Sequence, residues 1–369
     1  MNFHLTVAMT IVWAVISWGP TATAAPIPLT TEAWELSEQG ANFVNFKGHP
    51  SLRVNGGRAS LKNANFKNGI IEYDVWMEEA RGFGGVYFRS NNNNAEYFYM
   101  RPHLSGKPDA NQYVPMFNGN AAWQIFHGER YSAPTVYNFG QWIHVKLAIK
   151  DDKMDVYIDS DEPVLHIDNL LLDGKAGEIR FSGGLQDFYY ANINIIADEN
   201  VLLKGTAKPL KPLAPGLIRE FDVTQKPVEG ARVEAAIELD HTLIASQTWT
   251  RLLVGETGVA NLSEIAPRDR EANTLLVRLK VDTKRTQTIP VKYGFSDRVT
   301  IFLNGKAIAH GNDSYVSRDY RYLGTVGLFD TVFLPLEQGQ NEVIFAVTEA
   351  FGGWAFLAAV DAYEGVTVK

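Results

Sequence analysis

Four side chains at even spacing raise the first chemical question about this chain. From Gly69 to Glu78 the sequence reads G-I-I-E-Y-D-V-W-M-E, with Ile71, Tyr73, Val75 and Met77 alternating with Glu72, Asp74, Trp76 and Glu78. Alternation of period two predicts a strand, and it sends both acids and the tryptophan to one face. Two carboxylates on one sheet face are what glycosidic cleavage requires, one as acid and one as nucleophile or base. The same pattern also suits a solvated acidic face, or a surface that touches sugar without cutting it. These residues alone leave all three readings open.

A second group lies further on. Tyr87 and Arg89 alternate against Val86 and Phe88, and Tyr97, Tyr99 and Arg101 share a parity in E-Y-F-Y-M-R-P-H, with Glu96 and His103 beside them. The stretch from Pro108 to Phe126 then brings Asp109, Gln112, Tyr113, Asn118 and Trp123 in a loop too long and aromatic for a simple turn. Aromatic rings stack on the C–H faces of sugars, while amides, carboxylates and guanidinium groups meet their hydroxyls. Arginine makes such contacts strong and geometric, and loops on a rigid scaffold are where function concentrates. The prediction is one carbohydrate-contacting face built from Trp76, Tyr87, Arg89, Tyr99, Arg101, His103, Gln112, Tyr113 and Trp123. If that face also cleaves, its acids come from Glu72, Asp74, Glu96 and Asp109. The plainer alternative pairs Arg89 and Arg101 with Glu72, Glu96 or Asp109 merely to close the sheet.

Other chemistries find little support. The chain has no cysteine, which excludes thiolate metal sites, cysteine nucleophiles and disulfides. His127, His144 and His166 lack metal-ligand spacing. Asp159-Ser160-Asp161-Glu162 is where a structural calcium comes into question, but it lacks the glycine and regular spacing of a calcium loop. No metal and no cofactor is therefore expected. Nucleophile-elbow, phosphate-loop and dinucleotide motifs are missing. A net charge of −8 argues against a nucleic-acid partner, because neutralising phosphates needs basic density.

The elements that must carry these residues read as strands almost without a break. In the first block, residues 29–197, they include GGVYFRS, EYFYMRPH, KMDVYIDS, EIRFSG and YYANINIIA, together with QWIHVKLAIK, whose apolar face is Ile143, Val145, Leu147 and Ile149. Leu203 to Leu217 is rich in proline and glycine and reads as an extended linker. In the second block ARVEAAIEL, NTLLVRLKVDT and a hairpin about Asn304-Gly305 read as strands. Asn-Gly is the strongest short hairpin signal, since both turn positions need positive φ. Val299, Ile301 and Leu303 form one apolar face there, and Val343, Phe345 and Val347 repeat it. At the N-terminus, an uncharged apolar run from Leu5 to Trp18 precedes Ala22-Thr23-Ala24-Ala25, the pattern of a cleaved signal peptide. The run is shorter than the about 20 residues that span a bilayer, and no second apolar segment is long enough to cross one, so no membrane span is expected in the mature chain. The roughly 345 residues that remain exceed one ordinary core.

Two resemblances rest on these segments. FKNGIIEYDVWM, GFGGVYFRS and NFGQWIHVKLAIKDDKMDVYID resemble the concanavalin A-like lectin/glucanase and laminin G-like superfamily, nearest the 3-keto-disaccharide hydrolase-like branch. Glucanases of that superfamily carry E-x-D-x-x-E or E-x-D-x-E, whereas the third acid here, Glu78, sits one step further on. The second block is similar to galactose-binding-domain-like sandwiches, through Val299-x-Ile-Phe-Leu-Asn-Gly-Lys306, the G-x-N-E step at Gly339 to Glu342, and Phe351-Gly352-Gly353-Trp354, where the glycines imply a bulge that lets Trp354 pack. An exposed Trp354 would instead suggest a second sugar platform. The expected organisation is a signal peptide (1–25), a concanavalin A-like jelly roll (26–200), a Pro-rich linker (201–216) and a galactose-binding-like β-sandwich (217–369). The fold class is all-β, two antiparallel sandwiches. The expected protein is secreted or periplasmic and takes an oligo- or polysaccharide as partner. The alternatives are a glycoside hydrolase, and a non-catalytic scaffold for a protein partner.

Overall fold

The computed structural model describes residues 25–172, 174–315, 317 and 326–369. The signal-peptide assignment therefore falls, apart from Ala25, outside the described residues. Among them the sheets are antiparallel throughout, and the α-helices are two of five residues, Gly230–Glu234 and His241–Ala245. No described helix is long and apolar enough to cross a membrane.

The strands between residues 34 and 197 form two sheets. One runs in the order Trp34–Leu36, Gly57–Leu61, Glu178–Gly184, Phe83–Asn91, Asn94–Met100, Asn111–Phe117 and Ser132–Ala133. The other runs Leu165–Ile167, Lys153–Ile158, Ile143–Lys150, Gly69–Trp76, Phe188–Ala197, His49–Val54 and Ala41–Phe46. Their inner faces meet in one core. Ile71, Tyr73 and Val75 pack there with Val86, Phe88, Phe98, Phe181, Tyr190 and the expected Ile143, Val145, Leu147 and Ile149, all fully buried. Burying each such side chain contributes roughly 1.5–3 kcal/mol, and a chain without disulfides depends on that. The G-G-V-Y-F run has a packing cause. A Cβ on Gly84 would come within 2.2 Å of the Phe188 ring, which fills the space above it.

The strands between 220 and 368 form a second pair of sheets. Asn304 and Gly305 both have positive φ, 49° and 83°, and join Arg298–Leu303 to Lys306–Asn312. The two apolar faces noted above lie directly opposite on paired strands: Val299 faces Val347, Ile301 faces Phe345 and Leu303 faces Val343. The all-β, two-sandwich architecture implied by the resemblances is thus the one observed. One strand expectation fails. ARVEAAIEL begins as the helix Gly230–Glu234, which sets Val233 against Leu276, Phe302, Ile344 and Ala346 on the sheet's outer surface. Tertiary burial of Val233 and Leu239 overrides the local alternation.

The segment after residue 200 carries no strand until Glu220, but its start is held. Asp155, fully buried, accepts hydrogen bonds from the backbone N–H of Lys204 (2.6 Å) and Gly205 (3.0 Å). The sandwiches also touch directly. Glu256 accepts from Tyr131, Arg130 and Asn169, Asn118 donates to the Ser263 carbonyl at 2.8 Å, and the Gln124 N–H donates to the Gly352 carbonyl at 3.1 Å.

Candidate functional site

Antiparallel register builds the site. Tyr87 faces Tyr97 and Gly85 faces Tyr99 on neighbouring strands, so three tyrosines share the outward face of the first sheet. Their rings stack: Tyr87 on Tyr97 at 3.8 Å, and Tyr97 on Tyr99 at 4.9 Å, with planes within 7°. The next strand places Gln112 opposite Tyr99 on that same face.

Arg101 ties this ladder to the loops. Its Nη1 donates to the Asp109 carbonyl (3.1 Å) and to Asp109 Oδ2 (3.3 Å), and its Nη2 donates to the Tyr99 hydroxyl and to Gln112 Oε1. The Gln112 amide then donates to the carbonyls of Trp123 (3.0 Å) and Phe126. One guanidinium thereby fixes, through one amide, the loop that carries Trp123. Burial pushes the Tyr99 hydroxyl up to about 12, even with the Arg101 cation pulling the other way. It stays protonated and able to donate at physiological pH.

Above the ladder is a cavity of about 570 Å³. Tyr97, Tyr99 and Val114 form its floor, and Arg101, His103 and Asp109 its polar end. Trp123 supplies one wall, with Tyr315 and Phe351 from the second sandwich. Trp123 and Phe351 stand 5.8 Å apart, Tyr315 meets Phe351 at 5.6 Å, and Arg81 at the rim donates to the Tyr315 hydroxyl at 3.2 Å. Burial lowers the His103 pKa, and the cations Arg81 and Arg101 lower it further. Gly352 has a φ of 117°, and a Cβ there would lie 2.5 Å from the Gln124 amide, so the two loops meet backbone to side chain.

Of the residues expected on one face, Tyr99, Arg101, His103, Asp109 and Trp123 line this cavity, Tyr87 extends the ladder, and Gln112 braces it from behind. Others lie elsewhere. Trp76, Glu72 and Asp74 belong to the other sheet, on its outward side. There Trp76 packs against Phe46 and Trp142 and donates to Glu78. Arg89 leaves the Tyr87 face because the strand bulges after Phe88 and Arg89 takes a φ of 51°. Its guanidinium turns to the Lys67 carbonyl and Asn68 Oδ1. Tyr113 faces Phe98 and so points into the core, where its hydroxyl donates to the fully buried Glu96 at 2.5 Å. The expectation of a single face fails for these residues through sheet assignment, a bulge and strand parity respectively. The expected pairing of an arginine with Asp109 is observed, for Arg101.

The acids show the same separation. Burial raises the Asp74 carboxyl, but hydrogen bonds from His144 (2.8 Å) and Asn192 (2.7 Å) outweigh it and hold Asp74 below the usual range. That favours the charged form, the opposite of what a general acid needs. Glu96 is raised by burial, yet it lies in the core, where no substrate reaches. Among the described lining residues Asp109 is the one carboxylate in the cavity. Asp159, at the place considered for calcium, accepts from the His144 N–H and from Asn138. No described group of three or more His, Asp or Glu side chains is placed to hold a metal.

Phe351, Tyr315 and Arg81 had no site signal in the sequence. Phe351 was visible only as part of F-G-G-W. Trp354 of that run is fully buried and donates to the Val347 carbonyl at 2.9 Å, which removes it as an exposed platform.

No protein-family model matches this sequence, and no curated protein matches it. Similar solved structures include the carbohydrate-binding module CBM66 from Bacillus subtilis (17% identity, covering 44% of this chain and 93% of that one, TM-score 0.34). A putative glycosyl hydrolase from Parabacteroides distasonis (14%, 44% and 87%, TM-score 0.31) and a Bacillus licheniformis beta-glucanase (9%, 46% and 94%, TM-score 0.33) are also similar. At these identities and scores the likeness bears on neither activity nor ligand.

Proposed function

We propose that this protein is an exported carbohydrate-binding protein that takes a sugar into the cavity between its two sandwiches. The observation that carries the reading is the cavity's composition. Aromatic rings form both its floor, Tyr97 and Tyr99, and one wall, Trp123 and Phe351, and a hydrogen-bonding end is formed by Arg101, Asp109 and His103. Mostly apolar pockets with a few fixed polar groups are the general form of small-ligand sites. The faces of Tyr97 and Tyr99 are taken by one another, by Tyr87 and by Arg101, so these two rings give the floor its apolar edges. Trp123 and Phe351 offer ring surface to the C–H face of a pyranose, and the polar end meets its hydroxyls. Cleavage is less well supported, since glycoside hydrolysis uses a pair of carboxylates and Asp109 is the one described carboxylate on the walls. Export rests on the apolar run and A-x-A pattern before Pro26.

The test is calorimetry of purified residues 26–369 against a panel of oligosaccharides, with products followed by mass spectrometry. Binding without products, weakened roughly 30-fold in Trp123→Ala and kept in Trp76→Ala on the opposite sheet, is the expected result. New fragments would replace this reading with a hydrolase. Neither binding nor products would overturn it in favour of a scaffold.

A further inference from the structure

We infer that the sugar recognised in this cavity carries an anionic group, a carboxylate or a sulfate, held at the Arg81–His103 end. The inference rests on the carbohydrate-binding reading above and deepens it. The whole chain is acidic, with 42 Asp and Glu against 34 Lys and Arg, yet the charged and titratable groups lining the cavity run the other way. They are Arg81, Arg101 and His103, opposed by Asp109 alone among the described residues.

The local balance is tighter than that count. Asp109 is already paired with Arg101 at 3.3 Å, so those two charges largely cancel. Arg81 is bonded to a neutral partner, the Tyr315 hydroxyl, and among the described residues no carboxylate lies within ion-pair distance of it. Arg81 is exposed at the rim, and among the described residues the Tyr315 hydroxyl is its one side-chain hydrogen-bond partner. His103 lies edge-on to Phe83, 5.4 Å between ring centroids. Burial is the main cause of its lowered pKa, and the fields of Arg81 and Arg101 add to it. With Arg101 matched by Asp109 and His103 shifted towards its neutral form, Arg81 is the lining cation that has no carboxylate partner among the described residues, and a neutral sugar would leave it so. A carboxylate or sulfate on the ring would complete it with charge-assisted bonds, and the planar fork of arginine suits both groups. The ring itself would lie over the Tyr97–Tyr99 floor beside Trp123 and Phe351, so the aromatic and cationic parts of the cavity hold different parts of one ligand.

The experiment is calorimetry of residues 26–369 with three oligosaccharide sets of matched length: oligogalacturonates, a sulfated galactan fragment, and neutral galacto-oligosaccharides. An acidic set should bind at least ~10-fold more tightly than the neutral one at low salt, and the advantage should shrink as salt rises from about 50 to about 500 mM. Arg81→Gln should erase the advantage, bringing the acidic and neutral sets to the same affinity, with its thermal unfolding unchanged as the folding control. The comparison of carboxylated with sulfated sets identifies the preferred group. Equal or tighter binding of neutral sugars overturns the anionic preference while the carbohydrate reading stands. An advantage that survives Arg81→Gln overturns the assignment to this end of the cavity. Absence of binding by all three sets sinks the carbohydrate reading itself.

Discussion

Trp123 and Phe351 face each other at 5.8 Å across the junction of the two sandwiches, one held by the Arg101–Gln112 network and the other by the loop that precedes Trp354. Neither ring makes a complete cavity wall without the other. Trp123→Ala and Phe351→Ala should each weaken sugar binding by about 2 kcal/mol, roughly 30-fold, the usual scale of an aromatic anchor. Titration calorimetry of both variants checks this. If Phe351→Ala binds as well as the parent, the second sandwich is not part of the site.

Arg101 is nine-tenths buried and holds Tyr99, Gln112 and Asp109 together. Lysine keeps the charge but cannot reproduce a two-pronged donor pattern. Arg101→Lys should cost about 1.5–3 kcal/mol of stability, the range for hydrogen bonds to a charged group. It should also weaken binding, because the Trp123 loop loses its anchor. Urea unfolding with parallel calorimetry separates the two effects. A loss of stability with affinity unchanged would show that the network braces the fold and not the site.

Glu349 and Asp297 give the C-terminal sandwich a pH dependence. Both are buried, and they receive hydrogen bonds from opposite ends of the loop that bears Phe351. Ala350 and Phe351 donate to Asp297, and Gly353 donates to Glu349. Burial, reinforced by the Asp297 charge, pushes Glu349 up to about 7. A carboxyl raised above its unfolded value favours the protonated folded form. Its stabilising effect is complete below about pH 4.5 and is lost as pH rises through about 7. Thermal melts should therefore show stability falling between pH 5 and pH 8 by an amount on the order of 2–3 kcal/mol from Glu349. Glu349→Gln should flatten that slope, and a slope unchanged in this variant would assign the titration elsewhere.

Glu96→Gln and Glu72→Gln should leave sugar affinity within about twofold of the parent. Glu96 faces the core and Glu72 the far sheet, while binding differences of that size are under half a kcal/mol. Loss of binding in Glu72→Gln would move the site to the opposite sheet, where Trp76 and Asp74 lie.

Asp155 is fully buried and accepts from four partners: the Tyr157 hydroxyl, the His166 ring, and the Lys204 and Gly205 amides. Asp155→Ala strands these donors and should destabilise the protein by about 3 kcal/mol. Limited proteolysis should then cut near residue 204, where the parent is protected. Equal resistance in both proteins would show that the tether does not hold the segment.

What could be read in the sequence was what local geometry decides. Asn304-Gly305 announced its turn because both residues need positive φ, and Ile143 to Ile149 announced its buried face because strand parity is a period of two. Parity also placed Tyr99 with Arg101. The failures came where a distant contact or a single irregularity decides. One bulge after Phe88 turned Arg89 away, and the burial of Val233 converted an apparent strand into a helix. Trp76 could not be assigned to a sheet, since strand order is non-local. Phe351 meets Trp123 only after two separately folded sheets come together, and no spacing in the sequence encodes that meeting.

The tyrosine ladder has a temporal consequence. During synthesis Tyr97, Tyr99 and Trp123 leave the ribosome long before Phe351 is made, and domains fold as units in that order. For that interval the first sandwich displays an uncovered row of aromatic rings to everything around it. The vulnerable moment for this protein is thus its own assembly, and the cavity is complete only after the strands around Phe351 have formed.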